Sequence, residues 1–282
     1  MTTLPPHHPP RGAQRRAAAA GRHGATTPSR RPLAIVVALL AALAVAATAC
    51  GTASDTTAGQ PRTLNVFAAA SLTDAFTQLG SDFTAAHPDV KVSFNFAGSN
   101  DLVTQLQQGA PADVLASADT SNMEAAGDLV GPPQAFAGNK LIIAVEPGDP
   151  QHITGLADLA RKDLKVVLAA PEVPAGKYAQ EALRKAGVTV KPVSLEVSVK
   201  GVVTKISLGE ADAGIVYVTD VDAAKGKIDG IAIPDDQNVI ASYPIATLTG
   251  SKYPDDARAF MDFVLSDGGQ KVLAENGFLP AP

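Results

Sequence analysis

Leu64-Asn65-Val66-Phe67-Ala68-Ala69-Ala70-Ser71-Leu72-Thr73-Asp74-Ala75-Phe76 runs from a largely apolar segment, through a serine, into a different periodicity. Leu72, Ala75, Phe76, Leu79 and Phe83 recur at the spacing of one helix face, so a strand ends where a helix begins, with Ser71 at the junction. Ser71 followed three residues later by Asp74 has the pattern of a capping box. Such a junction directs unpaired backbone N–H groups, and the positive end of a helix dipole, beyond the strand tip, where an anion fits. A lone serine at that place serves equally well as a cap for its own helix. Recurrence of the arrangement decides between the two readings.

Val90, Val92, Phe94 and Phe96 alternate with Lys91, Ser93 and Asn95 as a strand that ends at Ala97-Gly98-Ser99-Asn100-Asp101, and Leu102, Val103 and Leu106 then begin a helix. Asp113 to Ala118 and Leu141 to Val145 read as strands. The pattern restarts with a strand at Lys165 to Ala170, a loop at Pro171 to Gly176 and a helix at Tyr178 to Ala186 that stops at Gly187. Leu195, Val197 and Val199 alternate as a strand running into Lys200-Gly201, followed by the helix face Val202, Val203, Ile206 and Leu208. Ala213 to Val218 and Tyr243 to Leu248 are strand-like, and Ala257 to Leu265 and Gly269 to Ala274 are helical. Strands alternating with helices give an α/β architecture with mostly parallel sheet, in which ligands bind at the carboxyl ends of the strands.

Residues 1–49 lie outside this alternation. Arg30-Arg31, an apolar run from Leu33 to Ala47 and the small residues Ala47-Thr48-Ala49 before Cys50 form a secretory leader, and Ser29-Arg30-Arg31-Pro32-Leu33 also fits a twin-arginine export signal. Cys50 is the only cysteine, which excludes an intrachain disulfide. Its place after the small residues resembles the lipobox of bacterial lipoproteins, in which that cysteine is lipidated and anchors the chain to the membrane. Residues 50–62 are a flexible tether rich in Thr, Ala and Gly. Without its leader the chain keeps 17 basic against 28 acidic side chains, a net charge of about −11. An acidic surface argues against nucleic acid and against a polybasic membrane contact, and it leaves recognition of an anion to local groups.

Catalytic patterns are missing from the sequence. The chain beyond the leader holds only His87 and His152, with no Gly-x-Ser-x-Gly elbow, no metal-spaced His/Cys set and no Gly-x-Gly-x-x-Gly. Binding gains with each recurrence: Ser71, Ser99, the Pro174-Ala175-Gly176 turn and Val199-Lys200-Gly201 all stand at strand-to-helix junctions, where small residues let backbone N–H groups approach a ligand. Lys177 reads either as a charge near that ligand or as a solvated first-turn lysine, and Asp113 as a structural hydrogen-bonding residue.

Seven motifs in order carry a family resemblance: Ala69-Ala70-Ser71-Leu72, Phe96-Ala97-Gly98-Ser99, Gly109-Ala110-Pro111-Ala112-Asp113-Val114, Gly138-Asn139-Lys140-Leu141, Val173-Pro174-Ala175-Gly176-Lys177-Tyr178-Ala179, Gly214-Ile215-Val216-Tyr217 and Tyr243-Pro244-Ile245. Over Thr63 to Leu279 the chain resembles the molybdate-binding periplasmic proteins of molybdate ABC transporters. The resemblance implies a two-lobed type II periplasmic binding protein, with each lobe a mostly parallel sheet flanked by helices. Lobe 1 would be residues 63–144 plus 241–282, and lobe 2 residues 145–240. It also implies a ligand set: hydroxyl and backbone N–H of Ser71 and Ser99, backbone N–H of Ala175 and Val199, and the Tyr217 hydroxyl. Ser198-Val199-Lys200-Gly201 departs from the family's usual acidic-Val-Arg version. Without the resemblance, Tyr217 and Val199 read as core residues. The expectations are a monomeric, non-enzymatic protein without cofactor or resident metal, held outside the cell membrane by a lipid on Cys50. It would pass molybdate or tungstate to ABC importer permease subunits. A sulfate-type oxyanion binder, a secreted enzyme and an anion-sensing domain are the alternatives.

Overall fold

Strand and helix alternate through residues 61–282, the part of the chain that the computed structural model describes. The leader, Cys50 and nearly all of the tether lie outside the described residues. The first run is β1 (Arg62–Ala69), a 3-10 turn (Ala70–Leu72), α1 (Thr73–Ala86), β2 (Val90–Ala97), α2 (Ser99–Gln107), β3 (Val114–Ala116) and α3 (Thr120–Ala125). After the long β4 (Gln134–Val145) come β5 (Val166–Ala169), α4 (Pro174–Lys185), β6 (Ser194–Glu196), α5 (Val199–Ser207), β7 (Ala213–Tyr217), α6 (Val218–Ala223) and β8 (Asp229–Ala232). The chain returns through β9 (Ile240–Thr247) and closes with α7 (Pro254–Leu265) and α8 (Asp267–Glu275).

The strands run in the order β2-β1-β3-β9-β4-β7-β5-β6, with β8 also on β4. In one half β1 is parallel to β2 and β3, and in the other β5 is parallel to β6 and β7. Every antiparallel pairing involves β4 or β9. Along β4, Gln134 to Lys140 pairs with β9, whereas Leu141 to Val145 pairs with β7 and β8. One strand therefore belongs to both halves, which gives the two-lobed α/β architecture. Pro244 sits inside β9, where it can donate no ladder hydrogen bond, and the register with β4 shifts between Ala135 and Ala137 beside it.

Four local readings differ from the structure. β4 begins at Gln134 rather than Leu141, because Asn139, which interrupts the apolar pattern, is buried with its amide donating to Thr219 Oγ1 at 2.9 Å. Helix α4 begins at Pro174 rather than Tyr178: proline is suited to the first helical position, and Gly176 lies so close to the Ala169 and Ala170 carbonyls that a Cβ would overlap them. Val199 is the first residue of α5, not the end of a strand; Ser198 caps that helix, its Oγ accepting from Gly201 N–H at 3.3 Å. The alternation at 195 and 197 misleads because both side chains are exposed, Leu195 at 51% and Val197 at 71%. Finally, Ser71 caps nothing through its side chain; it lies within the 3-10 turn ahead of α1, whose N-cap is Leu72.

The apolar face of α1 is seated by aromatic packing. The Phe76 ring meets Phe94, Phe136 and Phe260 at centroid distances of 6.2, 5.7 and 6.2 Å. Those partners come from β2, β4 and α7, so Phe76 ties the helix after β1 to the sheet and to the returning chain. Truncation of such a side chain loses both transfer free energy and packing, and Phe76→Ala is expected to lower stability by about 3–5 kcal/mol in chemical denaturation.

Candidate functional site

The carboxyl ends of β1, β2 and β7 and the starts of α4 and α5 meet at a small cavity of about 10 Å³. Ala69, Ala70, Ser71, Ala97, Gly98, Ser99 and Ala118 line it from one half, and Val173, Pro174, Ala175, Val199 and Tyr217 from the other. All five residues expected to contact a ligand are thus at one place. Ser99 and Val199 are the first residues of α2 and α5, and Ala175 is the second of α4. Backbone N–H groups at these positions have no acceptor inside their helices, and the helix dipoles add partial positive charge. The small side chains around them leave the backbone open to close approach.

The hydroxyls are held from behind. Ser99 is fully buried, and its Oγ accepts from Ala118 N–H at 3.0 Å, which leaves the serine proton to be donated elsewhere. Ser71 Oγ lies 3.0 Å from Tyr243 Oη, 172 residues away in the chain. Tyr217 is buried and its Oη has no hydrogen-bond partner in the protein. Burial pushes the Tyr217 hydroxyl well above the usual phenol range, so it stays protonated and able to donate.

Charged groups near the cavity are already matched. Asp220 is buried; its Oδ2 accepts from Tyr217 N–H at 3.1 Å and its Oδ1 lies 3.3 Å from Lys200 Nζ. Burial pushes the Asp220 carboxyl above the ordinary carboxylate range, and Lys200 pulls the other way. Lys200 also reaches Asp74 Oδ2 of α1, in the opposite half, at 3.6 Å. Lys177 is bonded to Ser121 Oγ and lies 3.6 Å from the buried Asp119 Oδ2, again across the halves. Lys177 is thus half exposed, with its partners in the opposite half. Asp113 is structural: Asn65 N–H donates to its Oδ2 at 2.7 Å and Ser251 Oγ to its Oδ1 at 2.6 Å.

Three residues in or behind the cavity wall, Gly98, Tyr243 and Asp220, are outside the expected ligand set; Gly98 and Tyr243 enter the sequence reading only as members of motifs. Gly98 could have been suspected as a small residue directly before a helix start; in the structure a Cβ on it would lie 2.7 Å from the Val197 carbonyl oxygen of the other half. Among the described residues no group of three His, Cys, Asp or Glu is placed to hold a metal ion.

A family model described as bacterial extracellular solute-binding protein matches residues 64–279. The chain is 41% identical to the molybdate-binding protein ModA of Mycobacterium tuberculosis over 259 residues, covering 88% of this chain and 98% of that one. It is 30% identical to a putative ABC transporter substrate-binding lipoprotein, YvgL, of Bacillus subtilis over 254 residues, covering 86% and 96%. In structure it is similar to the sulfate-binding protein SubI of Mycobacterium tuberculosis, with a TM-score of 0.71, 20% identity and coverage of 78% and 87%, a likeness of fold.

Gly98→Ala would put a methyl group against the Val197 carbonyl and force the halves apart. Small-angle X-ray scattering should then give a larger radius of gyration than for the unaltered protein, with stability lower by about 1–3 kcal/mol. An unchanged radius would mean that the turn yields locally.

Proposed function

Because the chain belongs to the bacterial extracellular solute-binding proteins, we propose that it captures molybdate between its two lobes outside the cytoplasm and delivers it to an ABC importer. The observation that carries this reading is the buried Tyr217 hydroxyl without a protein partner, set among two serines and three helix starts. A buried hydroxyl is seldom left unpaired, so a group that accepts hydrogen bonds belongs against it. Ser71 and Ser99 would each offer a hydroxyl and an N–H, Ala175 and Val199 an N–H, and Tyr217 its hydroxyl. These are neutral donors, suited to a fully ionised tetrahedral oxyanion.

Donors from both lobes can reach one anion only when the lobes are together, so binding favours closure. The lobes are residues 63–144 plus 241–282 and residues 145–240, and the change of partner within β4 at Lys140 and Leu141 supports a hinge in that strand. About seven charge-assisted hydrogen bonds at roughly 1.5–3 kcal/mol each exceed the roughly 8 kcal/mol of micromolar affinity, and the excess offsets dehydration and closure. The protein acts as a monomer, without cofactor and without catalysis, tethered by a lipid on Cys50 and docking on the permease subunits. Tungstate shares the charge and shape of molybdate and would bind as well.

Titration calorimetry of the chain without its leader tests the reading with molybdate, tungstate, sulfate and phosphate. Tight binding of the first two is expected, and failure to bind molybdate would sink the proposal. Tyr217→Phe should weaken molybdate by about 1–3 kcal/mol while leaving the thermal stability of the free protein unchanged or raised, since it removes an unpaired buried hydroxyl. Loss of stability without loss of affinity would make Tyr217 a core residue.

A further inference from the structure

The 3.0 Å contact between Ser71 Oγ and Tyr243 Oη can run in either direction, with opposite consequences for the cavity. If Ser71 donates to the tyrosine, the serine turns lone pairs toward the cavity. If Tyr243 donates to the serine, the Ser71 proton is left for a ligand. We propose that Tyr243 is a specificity-determining positioning residue, whose hydroxyl donates to Ser71 and keeps that serine a donor, so that oxyanions carrying a proton are rejected. The inference rests on the oxyanion reading above and extends it to the choice among oxyanions.

Several observations support this direction. Tyr243 is fully buried, and its ring is wedged edge-on between Tyr217, Phe136 and Phe278 at centroid distances of 5.9, 6.2 and 5.5 Å, so its hydroxyl is held in place. Burial raises its ionisation far above the usual range, which keeps the proton on the phenol. The Asn139 and Tyr217 side chains also lie near that hydroxyl, but among the described residues Ser71 Oγ is the group in hydrogen-bond contact with it, at 3.0 Å. A buried phenol proton needs an acceptor, and donation to Ser71 supplies one, whereas donation by Ser71 would leave the phenol proton unpaired.

The two serines then match. Ser99 Oγ accepts from the Ala118 N–H, and Ser71 Oγ accepts from Tyr243, so both turn a proton toward the cavity. A singly protonated tetrahedral anion such as hydrogen phosphate needs an acceptor for its own O–H and would meet donors on every side. Removing the Tyr243 hydroxyl frees Ser71 to rotate and to accept. The cost of a mispaired polar group in a buried site is what would supply the discrimination.

Calorimetry with molybdate and with inorganic phosphate at neutral pH, on the unaltered chain, Tyr243→Phe, Ser71→Ala and the double variant, tests the inference. Tyr243→Phe should weaken molybdate by about tenfold and narrow the ratio of molybdate to phosphate affinity by about tenfold or more. In the Ser71→Ala background the same change should alter neither, because its effect passes through Ser71. An unchanged ratio in Tyr243→Phe, or an equal loss with and without Ser71, would overturn the inference and leave Tyr243 a packing residue. A second readout needs no variant: in the molybdate complex of chain labelled at tyrosine Cζ, NMR should show the Tyr243 hydroxyl donating to Ser71, and a Ser71 hydroxyl donating to Tyr243 refutes the proposal. Failure of the unaltered chain to bind molybdate defeats the underlying reading instead, and the inference with it.

Discussion

Because β4 bonds to β9 through Lys140 and to β7 and β8 from Leu141 onward, two sheets share one strand without merging their helical layers. Each half then brings the carboxyl ends of its parallel strands to the same side of the shared strand. The turns after β1 and β2 and the starts of α4 and α5 face one another across a small cavity for that reason. The buried amide of Asn139, bonded to Thr219, secures β4 where its apolar pattern is interrupted. β9 runs beside the first part of β4 and carries Tyr243 under Ser71, so the strands that link the halves also support the cavity floor.

The electrostatics of the cavity follow from what is held away from it. Lys200 is occupied by Asp220 and Asp74, and Lys177 by Asp119 and Ser121. In an acidic protein these lysines offset buried carboxylates and bridge the two halves. What faces the cavity is a set of neutral N–H and O–H groups at helix starts. Such groups attract an anion through partial charges that fall off within a turn of helix, so recognition is confined to short range. This local character suits a carrier that must bind in a medium crowded with other ions and release its load.

Stability is traded for readiness at this site. A buried hydroxyl without a partner costs about 1–3 kcal/mol, a noticeable share of the roughly 5–15 kcal/mol that holds a domain folded. Tyr217 carries that cost in the free protein, and the aromatic packing around Phe76, Phe83 and Phe260 offsets it at a distance. The rigid surroundings of Tyr217 and Tyr243 keep both hydroxyls at fixed places.

Sequence alone determines the alternation of strands and helices and the small or hydroxyl residues at their junctions. Periodicity and turn chemistry depend on neighbours in the chain, so they survive in a linear reading. The motifs containing Ser71, Ser99, Ala175, Val199 and Tyr217 mark places that the fold gathers around one cavity. Tertiary structure decided the rest: that Ser71 meets Tyr243 instead of capping a helix, that Val199 opens α5 instead of closing a strand, and that β4 continues through Gly138-Asn139-Lys140. It also decided that Gly98 faces the Val197 carbonyl and that Lys200 spans both halves. Each of these rests on a partner far along the chain, and no local period records which distant group will satisfy a buried hydrogen bond or a charge.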